Sequence, residues 1–274
     1  MPAPSDLYAP HEPFNHGGTI FRNTIIIYHL KHPDLMRVTT NGVSIHYEVR
    51  GRNGPALIML HGNGEDHGIF DRAVDYLEQV FTVYLPDTRG HGESSPVGEY
   101  HYQDMVDDLS EFIRKLGLEK PAVCGFSDGA IVGLMFGSQN PGVLSHLIAC
   151  GANTRPETLG GLRMALDRIG DPGKKDPKVR LMLTEPDISA EDLARIDVPV
   201  TVVAGSRDCV KRSDTEFIAG SVPGAELVIM GRADHSSYIV HSTRIVDVVF
   251  KAMGVDTSAI AFVDRYRAGP IADP

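Results

Sequence analysis

The stretch Pro121 Ala122 Val123 Cys124 Gly125 Phe126 Ser127 Asp128 Gly129 Ala130 Ile131 Val132 Gly133 Leu134 Met135 Phe136 Gly137 decides how this chain folds. An apolar run stops at Gly125 and a second, with helical spacing, opens after Gly129, so the residues from Gly125 to Gly129 must reverse the chain. A strand that turns directly into a helix strains the backbone of its middle residue, which is tolerable when the neighbours have no Cβ bulk. Gly125 and Gly129 flank Ser127 at that spacing. The turn would lift the serine hydroxyl clear of a sheet and set the backbone N–H of Asp128 at a helix start, where negative charge is favoured. Gly-x-Ser-x-Gly also arises by chance, and it gains weight here from the strand before it and the helix after it.

Outward from that turn, strand-like and helix-like segments alternate with the rhythm of a parallel sheet covered on both faces. Pro55 to Leu60 and Phe81 to Leu85 are short apolar runs, and Leu144 to Ala149, Val198 to Ala204 and Leu227 to Met230 supply later strands. Between them Phe70, Val74 and Leu77, then Met105, Leu109, Phe112 and Ile113, recur at helical intervals. Further helices are predicted over Lys211 to Gly220 and Ser237 to Met253. Upstream, two alternating runs between Met36 and Val49 flank Asn41-Gly42, a strong hairpin signal. Residues 1–36 read as an N-terminal extension, made an extended arm by Pro2, Pro4, Pro10 and Pro13. A short element there, packed on the body or on a second subunit, leaves a homodimer open.

Composition narrows the function classes. The 274 residues are 42% hydrophobic and 23% charged, enough for a large core in an ordinary globule. A net charge of −10 without clustered Lys and Arg argues against a nucleic-acid partner. No run approaches the ~18 apolar residues of a membrane span, and the first residues lack the basic start of a signal peptide. Three cysteines, an odd number, fit a reducing compartment and do not make a zinc pattern, so a cytoplasmic protein without metal or cofactor is expected.

Ligands in such sheets sit beyond the carboxyl ends of the strands, which directs attention to the loops there. In His61 Gly62 Asn63 Gly64 Glu65 Asp66 the glycines let backbone approach a ligand, so the Asn63 N–H can face an oxyanion beside that of Asp128. One such donor is worth about 3–4 kcal/mol of barrier. Gly64, Glu65 and Asp128 are candidate substrate contacts, and the carboxylates of Asp128, Glu65 and Asp66 disfavour anionic substrates and could attract an amine. In the loop from Leu85 to Ser94, Asp87 and Arg89 read as structural, pinning it through charge-assisted hydrogen bonds. Val203 Ala204 Gly205 Ser206 Arg207 Asp208 places a carboxylate just past a buried strand, and Met230 Gly231 Arg232 Ala233 Asp234 His235 does so with an imidazole. A serine hydroxyl needs a base to take its proton, and the base needs a carboxylate to fix its tautomer. Ser127, His235 and Asp208 are the candidates for those roles. Asp234 would point away from its neighbour, Asp214 falls in a predicted helix and Asp197 precedes a strand at the opposite rim. His61 is taken up by its turn and His91 precedes the serine.

With these pieces in order, the chain resembles the α/β-hydrolase superfamily over about residues 36–253. The matching motifs are His61 Gly62 Asn63 Gly64, Asp87 Thr88 Arg89 Gly90 His91 Gly92, Gly125 Phe126 Ser127 Asp128 Gly129, Gly205 Ser206 Arg207 Asp208 and Asp234 His235. The resemblance implies an α/β fold with a mostly parallel eight-stranded sheet flanked by helices. It matches Ser127, Asp208 and His235 to nucleophile, acid and base. It also implies a core of 37–152 and 197–274 interrupted by a small helical cap, 153–196. The cap carries one helix around Leu159, Leu162, Met164, Leu166 and Ile169, and an apolar patch at Leu181 Met182 Leu183. The expected activity is serine-dependent hydrolysis of small carboxylic esters through an acyl enzyme. Amino-acid ester or aminopeptidase-like hydrolysis, carbon–carbon bond hydrolysis and perhydrolysis stand as alternatives, with non-catalytic ligand binding behind them.

Overall fold

The computed structural model describes residues 36–52, 54–161 and 176–259. Eight strands form one sheet: β1 (Arg37–Thr40), β2 (Val43–Arg50), β3 (Ala56–Leu60), β4 (Thr82–Pro86), β5 (Ala122–Phe126), β6 (His146–Cys150), β7 (Val200–Gly205) and β8 (Glu226–Met230). Their order is β1-β2-β4-β3-β5-β6-β7-β8. β1, β2 and β4 pair antiparallel, and from β4 to β8 every pairing is parallel. The expected mostly parallel eight-stranded α/β sheet is therefore present. The β1–β2 hairpin turns at Asn41 and Gly42, both with positive φ (44° and 79°), as the Asn-Gly pair demands.

Because successive side chains of a strand point to opposite faces, each central strand feeds two cores. Ile58 and Leu60 of β3, with Val123 and Leu147, face one core; Leu57 and Met59, with Cys124 and Ile148, face the other. The first core is closed by α2 (Tyr102–Lys115) and α3 (Asp128–Gln139), and the second by α1 (Asp71–Leu77) and α7 (Arg244–Ala252). Each such fully buried aliphatic side chain contributes roughly 1.5–3 kcal/mol. Between β6 and β7 lie a 3₁₀ turn (Pro156–Leu159), α4 (Pro177–Thr184) and α5 (Ala190–Ala194); α6 (Arg212–Ser221) follows β7. Leu181 is buried from α4, whereas Leu162 to Ile169 of the expected cap helix, and residues 1–35 of the expected extension, lie outside the described residues.

The last helix starts later than its apolar spacing predicts, at Arg244 instead of Ser237. Asp234 accepts the backbone N–H of Ser236 and Ser237, tying residues 234–237 into a turn. His241 then sits at φ 47°, and its N–H goes to the Ile69 carbonyl, outside any helix. Among the described residues no helix is long and apolar enough to cross a membrane.

Candidate active site

Ser127 joins β5 to α3 at φ 52°, ψ −113°, a conformation that L side chains rarely adopt. Three backbone contacts hold it there: its N–H donates to the Cys150 carbonyl at 2.8 Å, and its carbonyl accepts from Ala130 and Ile131 at 2.9 and 3.0 Å. Both flanking glycines are sterically required. A Cβ on Gly125 would lie 2.2 Å from the Gly129 carbonyl oxygen, and one on Gly129 would lie 2.3 Å from that of Leu60. The strand and helix thus cross too closely for any side chain, which is the physical content of the glycine spacing in the sequence.

The loops after β7 and β8 bring the other two residues to this turn. His235 Nε2 lies 3.1 Å from Ser127 Oγ, and His235 Nδ1 lies 2.7 Å from Asp208 Oδ1. Asp208 is fixed in turn by the backbone N–H of Val210 on Oδ1 and of Gly205 on Oδ2. Burial would raise the Asp208 carboxyl, but the hydrogen bond and charge of His235 and those two amides prevail and lower it. Burial would likewise lower His235, yet the bond to Asp208, assisted by the Cys209 sulfur, pushes it well above the ordinary histidine value. The ring packs on Phe126, with centroids 5.0 Å apart, and a Cβ on Gly151 would come within 2.8 Å of it. A hydroxyl, an imidazole and a carboxylate in this series can pass a proton from the alcohol to the ring while the acid holds the tautomer.

Across from the ring, the loop after β3 approaches the first turn of α3. The Asp128 N–H opens a helix and so has no partner within it. Among the described residues neither this N–H nor that of Asn63 meets an acceptor. Their side chains are joined to each other: Asn63 Nδ2 donates to Asp128 Oδ2 at 2.8 Å, and Tyr102 Oη donates to Asp128 Oδ1 at 2.8 Å. Burial raises the Asp128 carboxyl against the lowering effect of these two donors. Asn63 Nδ2 also reaches the Lys178 carbonyl of α4 at 3.3 Å, so the segment between β6 and β7 touches this brace. Glu65 turns back onto its own loop and accepts the Gly62 N–H at 2.9 Å, while Gly64 holds φ 73°. The carboxylates of Asp128 and Glu65 are therefore both engaged by protein donors.

The competing residues are occupied elsewhere. His61 is spent on the Gly62 carbonyl and the Thr88 N–H, and burial lowers its pKa. Buried His91, pushed down to about 4 chiefly by desolvation, faces the Arg89 carbonyl. Asp214 accepts the N–H and hydroxyl of Thr154, and Asp197 accepts the Gly142 N–H. Arg89 clamps Asp108 through Nε and Nη2 (2.6 and 2.9 Å) and reaches Asp104 through Nη1, so the loop after β4 is pinned by the charged bonds expected of it. Tyr102 and Cys209 have no place in the sequence reading. Tyr102 is one more aromatic on an amphipathic helix, and Cys209 is hidden by the more conspicuous acid beside it.

A strand-turn-helix serine thus stands with a histidine and an acid at one rim of an α/β sheet. Residues 55–170 match the family model described as alpha/beta hydrolase fold. Over 251 residues the chain is 22% identical to 3-oxoadipate enol-lactonase 1 of Acinetobacter baylyi, covering 88% of this chain and 92% of that protein. It is 25% identical to the human Serine hydrolase BPHL, covering 74% and 80% of the two chains. The crystal structure of the enol-lactonase from Burkholderia xenovorans superposes with a TM-score of 0.67 at 20% identity, over 80% of this chain and 99% of that one. The chain thus has the α/β-hydrolase fold, and the proteins it is similar to include hydrolases.

Proposed function

We propose that the protein is a serine hydrolase of small, uncharged carboxylic esters, with Ser127 as nucleophile, His235 as general base and Asp208 as the acid that orients it. The observation that carries this is the continuous series Ser127 Oγ, His235 Nε2 and Nδ1, Asp208 Oδ1, with contacts of 3.1 and 2.7 Å. Ser127 attacks the ester carbonyl as His235 takes its proton, and the amides of Asn63 and Asp128 receive the oxyanion. The alkoxide leaves with the proton from His235, and water activated by the same ring releases the acid. The mechanism needs no metal or cofactor. Segment 153–196 serves as the cap over this site and 37–152 with 197–274 as the core.

Engagement of both oxygens of Asp128 by Asn63 and Tyr102 supports neutral esters over amine-bearing ones, since this carboxylate beside the serine is already paired. The test is reaction with a fluorophosphonate probe followed by peptide mapping, alongside turnover of p-nitrophenyl acetate, an aminoacyl ester and a carboxylate-bearing ester. Label on Ser127 and the neutral ester turned over fastest are expected. An unlabelled Ser127 in folded protein overturns the covalent mechanism, and a faster aminoacyl ester overturns the substrate class.

A further inference from the structure

Cys209 adjoins the acid of the relay, is half-buried, and is a free thiol. Its sulfur, a carboxylate oxygen of Asp208 and a ring nitrogen of His235 all lie within 4.8 Å of one another. Thiolate, imidazole and carboxylate are the three ligand types zinc accepts, at bond lengths of about 2.0–2.3 Å. Two anionic ligands also cancel the charge of a divalent ion, which a partly buried site requires. We propose that Asp208, Cys209 and His235 form a site for one thiophilic divalent cation, typified by Zn²⁺, and that its binding switches the hydrolase off. The inhibitory part rests on the catalytic reading above; the binding part does not.

The chemistry balances with one proton released. The Cys209 thiol gives its proton to solvent as the sulfur–metal bond forms. For His235 Nδ1 to donate its lone pair, the proton it shares with Asp208 moves to Nε2, so the ring stays neutral. Nε2 then carries a hydrogen and cannot accept the proton of Ser127. Geometry acts in the same direction. Tetrahedral zinc holds neighbouring N and O ligands roughly 3.4 Å apart, whereas Nδ1 and Asp208 Oδ1 are at 2.7 Å. Ring and carboxylate must therefore part to admit the ion, which breaks the hydrogen bond that orients the ring.

A second group of similar donors, His46, His67 and Asp87, carries no such inference. Each oxygen of Asp87 accepts one backbone N–H and one ring nitrogen, whereas among the described residues Asp208 Oδ2 accepts only the Gly205 N–H. That group also lacks the thiolate, the soft ligand that Cys209 supplies at the other.

The test is a Zn²⁺ titration of the chelator-stripped full chain, reading bound zinc by competition with a chromogenic chelator and ester turnover in parallel. Wild type should take up one zinc per chain, lose more than tenfold in turnover and recover on adding EDTA. Cys209→Ser should bind at least thirtyfold more weakly, with its turnover in zinc divided by its turnover without zinc close to one. Ser127→Ala should still bind zinc, so the binding claim is decided even if the ester reading fails. No uptake by wild type, or equal uptake and inhibition in Cys209→Ser, overturns the proposal.

Discussion

Two histidines at the same rim of the sheet differ in one neighbour. His235 and His67 each set Nδ1 against a buried carboxylate, at 2.7 Å from Asp208 and 2.8 Å from Asp87. The far nitrogen of His235 meets the hydroxyl of Ser127, whereas that of His67 meets the carboxylate of Glu48 at 3.3 Å. His67 is pushed up to about 9, first by its hydrogen bond to Asp87 and then by nearby charges, against its burial. A ring between two carboxylates keeps its second proton and holds strands together; a ring between a carboxylate and an alcohol can take a proton and return it. Histidine beside aspartate is thus not enough to make a base.

Four measurements would break or sharpen that contrast. The largest effect is expected for Ser127→Ala, which removes the alcohol. Turnover should fall by at least ~10⁴-fold, since only the oxyanion site and binding remain, while the thermal melt stays within a few degrees. Activity within tenfold of wild type would refute the assignment.

Asp208→Asn should cost on the order of 10⁴ in turnover because the wrong ring tautomer is favoured. The base must be unprotonated to act, so turnover rises with pH through the His235 pKa. Asp208 raises that pKa, so the ascending limb of wild type should lie above ~6.5, the ordinary histidine value, and the variant's residual activity should show the limb moved down. A limb that stays in place would mean that another group titrates.

On the structural side of the rim, Arg89→Met leaves the buried Asp108 without its partner, a loss of about 3–5 kcal/mol. Urea unfolding should show it, with turnover per folded molecule within about threefold of wild type. An unchanged midpoint would show that the clamp contributes nothing.

The smallest effect concerns His67. A histidine whose pKa is higher folded than unfolded stabilises fully below the unfolded value, and the gain is lost as pH rises through the folded one. Wild type should therefore lose stability between about pH 6.5 and 9, by roughly 1–2 kcal/mol once solvent screening is allowed for. His67→Gln should flatten that slope; an equally steep slope would assign it to another group.

The convergence of Ser127, Asp208 and His235 was legible because each follows a strand whose apolar run ends at a glycine: Gly125 before Ser127, Gly205 before Asp208, Gly231 before His235. The sheet order then puts those loops together. Tyr102 was not readable, because its hydroxyl meets Asp128 across 26 positions of sequence and helical spacing reports only that its ring is buried. The start of the last helix was missed for a different reason. Apolar periodicity continues through Tyr238 and Ile239, both fully buried, but His241 takes φ 47° and gives its N–H to the Ile69 carbonyl, which interrupts any helix before Arg244.

The close crossing at Gly129 also constrains how such a protein can diversify. Because the first turn of α3 rests on the backbone of Leu60, the last residue of β3, and the loop bearing Asn63 leaves that same strand, main chain sets the gap between the amides of Asn63 and Asp128. Side chains around these amides could be exchanged without altering that gap. A lineage with this scaffold can vary those side chains, while any residue larger than glycine at position 129 would force the crossing itself apart in every descendant.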